Sequence, residues 1–335
     1  MKEALVGFDS AWGGHRAGAI AWAVFKDGDL EKAPPPCLVG FADAADIIGG
    51  FQRECDDVLV AIDQPIIVPN DKGCRPVDVV ADALMQELNS GALMANRTER
   101  GQGFNNVYLH GNESPLWRFM ERIGPCAYSG RTAEDDHRAF VDFQATGNTH
   151  VIEVYPALAL AGLNPMFMDR ESAARYDPEN RWGENRFSLD DWKSVCETVA
   201  YCAERIGLQE LSQWAGEMVV PWDAPRRPRK LHQDKIDAAL CLLIATQWRR
   251  QTNGVCVIGD LQTGYMVTPT SDSTREILQT TCNKLDVCLR SVEKYDQFQR
   301  LEQPQTPTFG ELLLEIPQDD QEFERLPISN RPLDL

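Results

Sequence analysis

Residues 56 to 69 read DDVLVAIDQPIIVP, an apolar run from Val58 to Ile62 that ends at Asp63 and is followed by Pro65. A short apolar run of this length, bounded by an acid, is the pattern of a β-strand. Pro65 has no N–H to give to a ladder, so it stops the pairing. This is the strongest strand in the chain.

The sequence before it reads mostly as strands. ALVGFDSA (4–11) is short, apolar and ends at an acid, Asp9. AGAIAWAVFK (17–26) follows the glycine turn WGG, as the second arm of a hairpin would. PCLVGF (36–41) supplies a candidate third strand, and DAADIIGGFQREC (43–55) has helical spacing despite its Gly-Gly pair.

After it, residues from about 66 to 148 form an expected insertion. RPVDVVADALMQELNSG (75–91) has a helical pattern that Gly91 would stop. NRTERGQGFNNVYLHGNES (96–114) reads as a long loop of the kind that often carries function, and SPLWRFMERIG (114–124) and TAEDDHRAFVDFQATG (132–147) read as short helices. THVIEVYP (149–156) returns to strand character and carries Glu153. SLDDWKSVCETVAYCAERIGL (188–208) is a helix with Ser188 as N-cap. DAPRRPRK (223–230) is a basic, proline-broken linker. HQDKIDAALCLLIATQWRRQ (232–251) is the best helix in the chain, its second half too apolar to be anything but buried. VCVIGD (255–260) and GYMVTP (264–269) make a closing hairpin.

The order of elements predicts an α/β protein: a mixed sheet with helices on both faces. The expected domain spans residues 1–270. Residues 271–335 form an expected extension, a helix over 273–301 and then an extended or disordered acidic tail.

Composition narrows the function. The chain has 335 residues, 43% hydrophobic and 25% charged, enough for one large domain with insertions. No stretch approaches the ~20 apolar residues of a membrane helix. The N-terminus lacks the apolar core of a signal peptide, so the expected compartment is the cytoplasm. The 10 cysteines are scattered without a C-x-x-C pair, and several lie in apolar runs; they read as buried, reduced thiols. A net charge of −18 argues against extensive nonspecific nucleic-acid binding. It leaves room for a metal-dependent site, which is itself acidic and whose bound ions invert the local field.

The carboxylates carry the chemistry. Asp9, Asp63 and Glu153 each close a predicted strand, and ligands of open α/β sheets bind beyond the carboxyl ends of parallel strands. Asp234 and Asp237 lie three apart at the expected start of the buried helix and share one face. There they also suit the helix dipole. Any one of them has a simpler reading as a turn or capping residue. Together, convergent buried carboxylates repel one another, and a divalent cation is the usual remedy. Mg²⁺ takes hard oxygen ligands and keeps waters for chemistry. Two such ions about 4 Å apart would activate a water and stabilise the leaving oxygen of a phosphodiester. Lys235, between the helical acids, reads as a solvent-facing or ion-pairing residue, and His232 as a cap-region histidine. The candidate substrate surface is basic: Arg97 and Arg100, then Arg226, Arg227, Arg229 and Lys230. Arg75, just after the Asp63 strand, would reach a phosphate or an active-site acid.

GFDSAW, AIDQPI, the arginine of CRPVD, EVYP, YDPEN with FSLDDW, DKIDAAL and GYMVTP occur in that order. The set resembles a large, mostly uncharacterised family of predicted RNase H-like nucleases, over about residues 4 to 270. The placement of the acids is also similar to that of RuvC-type resolvases in the same superfamily. The resemblance implies an RNase H-like sheet, Mg²⁺ or Mn²⁺ as cofactor, and a nucleic-acid or nucleotide substrate. It implies Asp9, Asp63, Asp234 and Asp237 as metal ligands, with Glu153 a fifth catalytic acid. One departure stands out: RNase H enzymes carry a glutamate on the helix after the third strand, where this chain offers Glu54 alone, near that helix's end.

Two other readings fit the same sheet. An actin- or hexokinase-like phosphotransferase would need a second related half with its own glycine loop, and no second GFDSAWGG-like segment or P-loop pattern occurs. A non-catalytic binding or scaffold protein would use the acidic surface and the C-terminal extension to meet a protein partner.

Overall fold

The computed structural model describes residues 1–10, 17–67, 75–87, 115–124, 148–168, 174–181, 186–219, 227–250, 254–260 and 263–291. Expectations for the 96–114 loop, the 132–147 helix, Gly91, Cys74, Cys126, the basic residues Arg97, Arg100 and Arg226, and the tail beyond 291 fall outside these residues. One compact unit covers Met1–Tyr295.

The α/β architecture is present as expected, with a central mixed sheet between helices. Strand β1 (Lys2–Asp9) lies at its centre. On one side β1 pairs antiparallel with β2 (Gly18–Lys26), and β2 with β3 (Asp29–Lys32). On the other side β1 runs parallel to β5 (Asp57–Ile62), which runs parallel to β6 (Thr149–Glu153). The spatial order is β3-β2-β1-β5-β6. PCLVGF contributes only the short β4 (Cys37–Val39), paired to the start of β2. The third strand is instead β3, entered through Asp27-Gly28, both at positive φ (52° and 96°). That is the Asp-Gly turn whose twist suits a hairpin.

Helix α1 (Phe41–Glu54) keeps its Gly-Gly pair and precedes β5. The helices α2 (Pro76–Glu87) and α3 (Pro115–Ile123) come from the expected insertion. After β6 come α4 (Pro156–Leu163), α5 (Leu189–Arg205, capped by the Ser188 side chain) and α6 (Gln209–Glu217). The long helix α7 (Lys230–Arg250) follows, then the antiparallel hairpin of β7 (Val255–Asp260) and β8 (Gly264–Pro269).

The two faces of β1 are covered differently. Phe8 packs against Phe41 of α1 and Phe119 of α3, with ring centroids 5.6 and 5.2 Å apart. Gly7 faces the other way, against α7. A Cβ there would lie 2.3 Å from the Ala238 carbonyl oxygen and 2.3 Å from the Leu242 nitrogen. Only glycine lets the helix backbone come this close to the strand. Ala238 through Ala245 are all buried, as their apolar run predicts. The far end of α7 is tied to the strand starts: Arg249 and Arg250 pair with Glu3, and Arg249 with Asp57 at 2.7 Å. The helix therefore runs antiparallel to β1 and β5, with its first two turns over the strand ends that carry Asp9 and Asp63.

The segment after 270 differs from expectation. Its helix, α8 (Asp272–Leu285), stops at Asp286, which is left-handed (φ 54°) and whose N–H bonds back to Cys282. The chain then forms β9 (Leu289–Ser291), antiparallel to β7. Leu278 and Cys282 pack with Val77, Val80, Ala81 and Leu84 of α2 in a second hydrophobic cluster. Residues 272–291 are thus integral to the fold, because α2 and α8 bury their apolar faces together with residues of the small β8-β7-β9 sheet. Val154 bridges to Val267 of β8 and links that sheet to β6. Among the described residues the cysteines are reduced, six buried and Cys37 and Cys288 exposed. No helix among the described residues is long and apolar enough to cross a membrane.

Candidate functional site

The parallel pairing of β1 and β5 runs to Phe8 and Ile62, and the Asp63 N–H donates to the Phe8 carbonyl at 3.0 Å. Asp9 and Asp63 are thus level on adjacent strands, roughly 4.8 Å apart in backbone. The pleat turns both to the face that holds Gly7, and so toward α7. The residues after them reinforce this registration: the Ser10 hydroxyl donates to Oε1 of Gln64 at 2.5 Å, and both are buried.

From α7, Asp237 meets this pair. It is the residue before Ala238, whose carbonyl lies over Gly7, and it is buried. The buried Tyr176 hydroxyl donates to Oδ1 of Asp237 at 2.8 Å. Burial, and then the charges of Asp9 and Asp237, push the Asp63 carboxyl far above the usual range; Lys230 opposes this. Burial and then Asp9 likewise raise Asp237, against Lys230 and the Tyr176 hydrogen bond. Cys241, one turn further along α7, is driven up by burial and by Asp63, Asp9 and Asp237. The three carboxylates therefore share one electrostatic environment.

Asp234 lies one turn earlier, where Lys230 Nζ sits 3.1 Å from its Oδ1. Burial raises its pKa and Lys230 lowers it, with Glu179 and Asp177 adding repulsion. The expectation that Asp234 and Asp237 open the helix is corrected. The helix begins at Lys230, its first turn holds no acid, and Asp234 lies in the second turn and Asp237 at the start of the third, beyond the reach of the dipole argument.

Glu153 is placed elsewhere. Its register partner is Ile62 rather than Asp63, so the pleat turns it to the other face. There it is fully engaged: Oε1 and Oε2 accept from Arg75 at 2.6 and 2.9 Å, and Oε2 also accepts from the Ile66 N–H at 2.9 Å. Arg75 also donates to Asp78 at 2.8 and 3.0 Å and to the Ile67 carbonyl at 2.8 Å. Its side chain is wholly buried against Glu153 and Asp78. Burial would lower the Arg75 pKa, but Glu153 and Asp78 raise it; the guanidinium is permanently charged. The clamp pins the segment 64–67 that leaves Asp63.

Arg227 and Arg229 are exposed just before α7. His232 accepts at Nδ1 from the Arg229 N–H at 2.9 Å, a cap-region contact as expected. Glu54 is exposed at the last position of α1, by the start of β5 and thus at the other end of the sheet from Asp9 and Asp63. Sequence reasoning assigned no role to Tyr176, Ser10, Gln64 or Gly7. The first lay within YDPEN, and the next two directly follow the strand-end acids.

The donor set Asp9, Asp63 and Asp237 consists of hard oxygens that repel one another, which suits a divalent cation in kind. Among the described residues, no three His, Cys, Asp or Glu side chains close to metal-binding distance. An ion at these carboxylates would have to be completed by water or substrate, as Mg²⁺ commonly is.

The chain belongs to the family described as protein of unknown function (DUF429), whose model matches residues 7–262. That span includes Asp9, Asp63, Glu153, Asp234 and Asp237. No curated protein and no solved structure matches the chain.

Proposed function

We propose that this protein is a metal-dependent nuclease of the RNase H-like type, hydrolysing phosphodiester bonds with Mg²⁺ or Mn²⁺. The observation that carries the reading is the level placement of Asp9 and Asp63 on adjacent parallel strands with Asp237 set over them by α7. The strand order, with an antiparallel hairpin on one side of β1 and parallel strands on the other, supports the same reading.

In this account Asp9, Asp63 and Asp237 would close on the cation and hold it. Tyr176 fixes the rotamer of Asp237 through its hydrogen bond. Ser10 and Gln64 keep the strand ends in register, and Arg75 with Glu153 and Asp78 holds the chain leaving Asp63. The ion, when bound, would activate water and neutralise charge at the leaving oxygen. Arg227 and Arg229, exposed just before α7, would meet substrate phosphates.

The test is cleavage of a panel of single-stranded, duplex and branched DNA and RNA, with cyclic and linear dinucleotides, in Mg²⁺, Mn²⁺ or EDTA. Cleavage that needs the metal and is lost in Asp9→Asn and Asp237→Asn supports the reading. Cleavage by the wild type that persists in both variants points to a contaminant. No cleavage of any substrate favours a binding role for the fold.

A further inference from the structure

Lys230 is the first residue of α7, and Asp234 and Asp237 follow it on the same helical face at i+4 and i+7. Its ammonium lies 3.1 Å from Asp234 Oδ1 as an ion pair, and its side chain is about one-third exposed while that of Asp234 is 7% exposed. Its field reaches further than that contact: it acts on Asp63 and Asp237 as well as Asp234, and Asp9 and Asp177 act on it in turn. The Lys230 ammonium is thus paired to one acid and attracted to the others.

Resting on the nuclease reading above, we propose that Lys230 is a tethered counter-ion that competes with the divalent cation for the carboxylate cluster. In the metal-free protein its ammonium offsets part of the repulsion among the acids. A divalent ion among Asp9, Asp63 and Asp237 brings two positive charges close to that ammonium, and like charges so close are mutually unfavourable. The lysine stem is long and its side chain is about one-third exposed, so the ammonium can swing outward to solvent when the ion enters. Lys230 thereby weakens metal binding and sets the metal concentration at which the site is filled. It regulates the site from outside the set of Asp9, Asp63 and Asp237.

The magnitude follows from occupancy. If the ammonium occupies the cluster nine-tenths of the time, the apparent metal affinity is reduced about tenfold. Lys230→Met removes the charge and keeps much of the stem, so it should bind Mn²⁺ about tenfold more tightly than wild type by titration calorimetry at pH 7.5. Lys230→Arg keeps the charge and should stay near wild type. A second measurement uses no metal. In EDTA, Lys230→Met should melt below wild type, and Asp237→Asn should restore part of that loss when added to it.

Mn²⁺ binding by wild type with no gain in Lys230→Met, or with a loss, overturns the inference and leaves the metal reading intact. Binding by neither protein overturns both. A melting temperature in EDTA that is unchanged in Lys230→Met shows that the ammonium does not offset the carboxylates, and this too overturns the inference.

Discussion

Replacing Gly7 by alanine adds one methyl group at the closest approach of β1 and α7. The new Cβ would lie 2.3 Å from Ala238 O and Leu242 N and 2.9 Å from Cys241 C, all backbone atoms of the helix. Ordinary contact begins at 3.4 Å, so strand and helix must separate by about 1 Å. The helix has little room to yield locally. Its middle is buried from Ala238 to Ala245, and its far end is tied by Arg249 and Arg250 to Glu3 and Asp57. Overpacking of this kind costs about 1–3 kcal/mol. At roughly 2–4 °C per kcal/mol for a domain of 150–250 residues, and somewhat less in a longer one, the melting temperature should fall by several degrees. The second consequence is specific to the site. Asp237 precedes Ala238, so it is lifted from Asp9 and Asp63 by a similar distance. A misplacement near 1 Å costs about 100-fold in a catalytic constellation. Circular dichroism melts in EDTA, Mn²⁺ affinity and cleavage rate together check both effects. The expected variant is folded, several degrees less stable, and at least tenfold weaker for Mn²⁺. Wild-type stability with wild-type Mn²⁺ affinity would show that the contact at Gly7 does not set the height of Asp237.

The raised Asp63 and Asp237 carboxyls make stability depend on pH. A carboxyl raised on folding contributes stability below its unfolded value near 3.9, and that contribution is lost as pH rises through the folded value. In EDTA, Asp237→Asn should therefore gain steadily on wild type between pH 5 and pH 8, while added Mg²⁺ should stabilise wild type and not the variant; parallel melting curves for the two proteins across that range would refute the repulsion. Glu153→Gln keeps an acceptor but removes the charge opposite Arg75, so its melting temperature should drop sharply, as when a buried pair is broken at about 3–5 kcal/mol. Its Mn²⁺ affinity should stay within a few-fold of wild type, and a selective loss of metal binding would return Glu153 to the ligand set. Tyr176→Phe removes the 2.8 Å hydrogen bond that fixes Asp237. Metal affinity should fall about 10–100-fold with little change in melting temperature, and an unchanged affinity would show that the hydrogen bond does not orient the ligand.

Much of this site was legible in the residues. The apolar runs before Asp9 and Asp63 place both acids at strand ends, and the buried run after Asp237 places it where a helix enters the core. What stayed hidden depends on pairing between distant segments. Glu153 closes a strand much as Asp63 does, and only register shows that it is level with Ile62 and turned to Arg75. A shift of one position reverses the face, and no local pattern encodes it. Tyr176 comes from a segment without regular secondary structure, so no periodicity marks it as a partner for Asp237. The start of α7 was read late because Pro228 and three arginines resemble a linker, yet Lys230 already begins the helix. The helix expected over 273–301 ends early because Asp286 takes the left-handed conformation, which a single residue's identity does not dictate.

The central claim is that Asp9, Asp63 and Asp237 form a divalent-cation site, and titration calorimetry of Mn²⁺ at pH 7.5 in two buffers of different ionisation enthalpy tests it most directly. Carboxyls with raised pKa values must lose protons to bind the ion, so the account predicts wild-type binding with proton release. It also predicts that binding is lost in Asp63→Asn and Asp237→Asn and kept in Glu153→Gln. Absence of binding in the wild type, or equal binding in Asp63→Asn and Asp237→Asn, would contradict it.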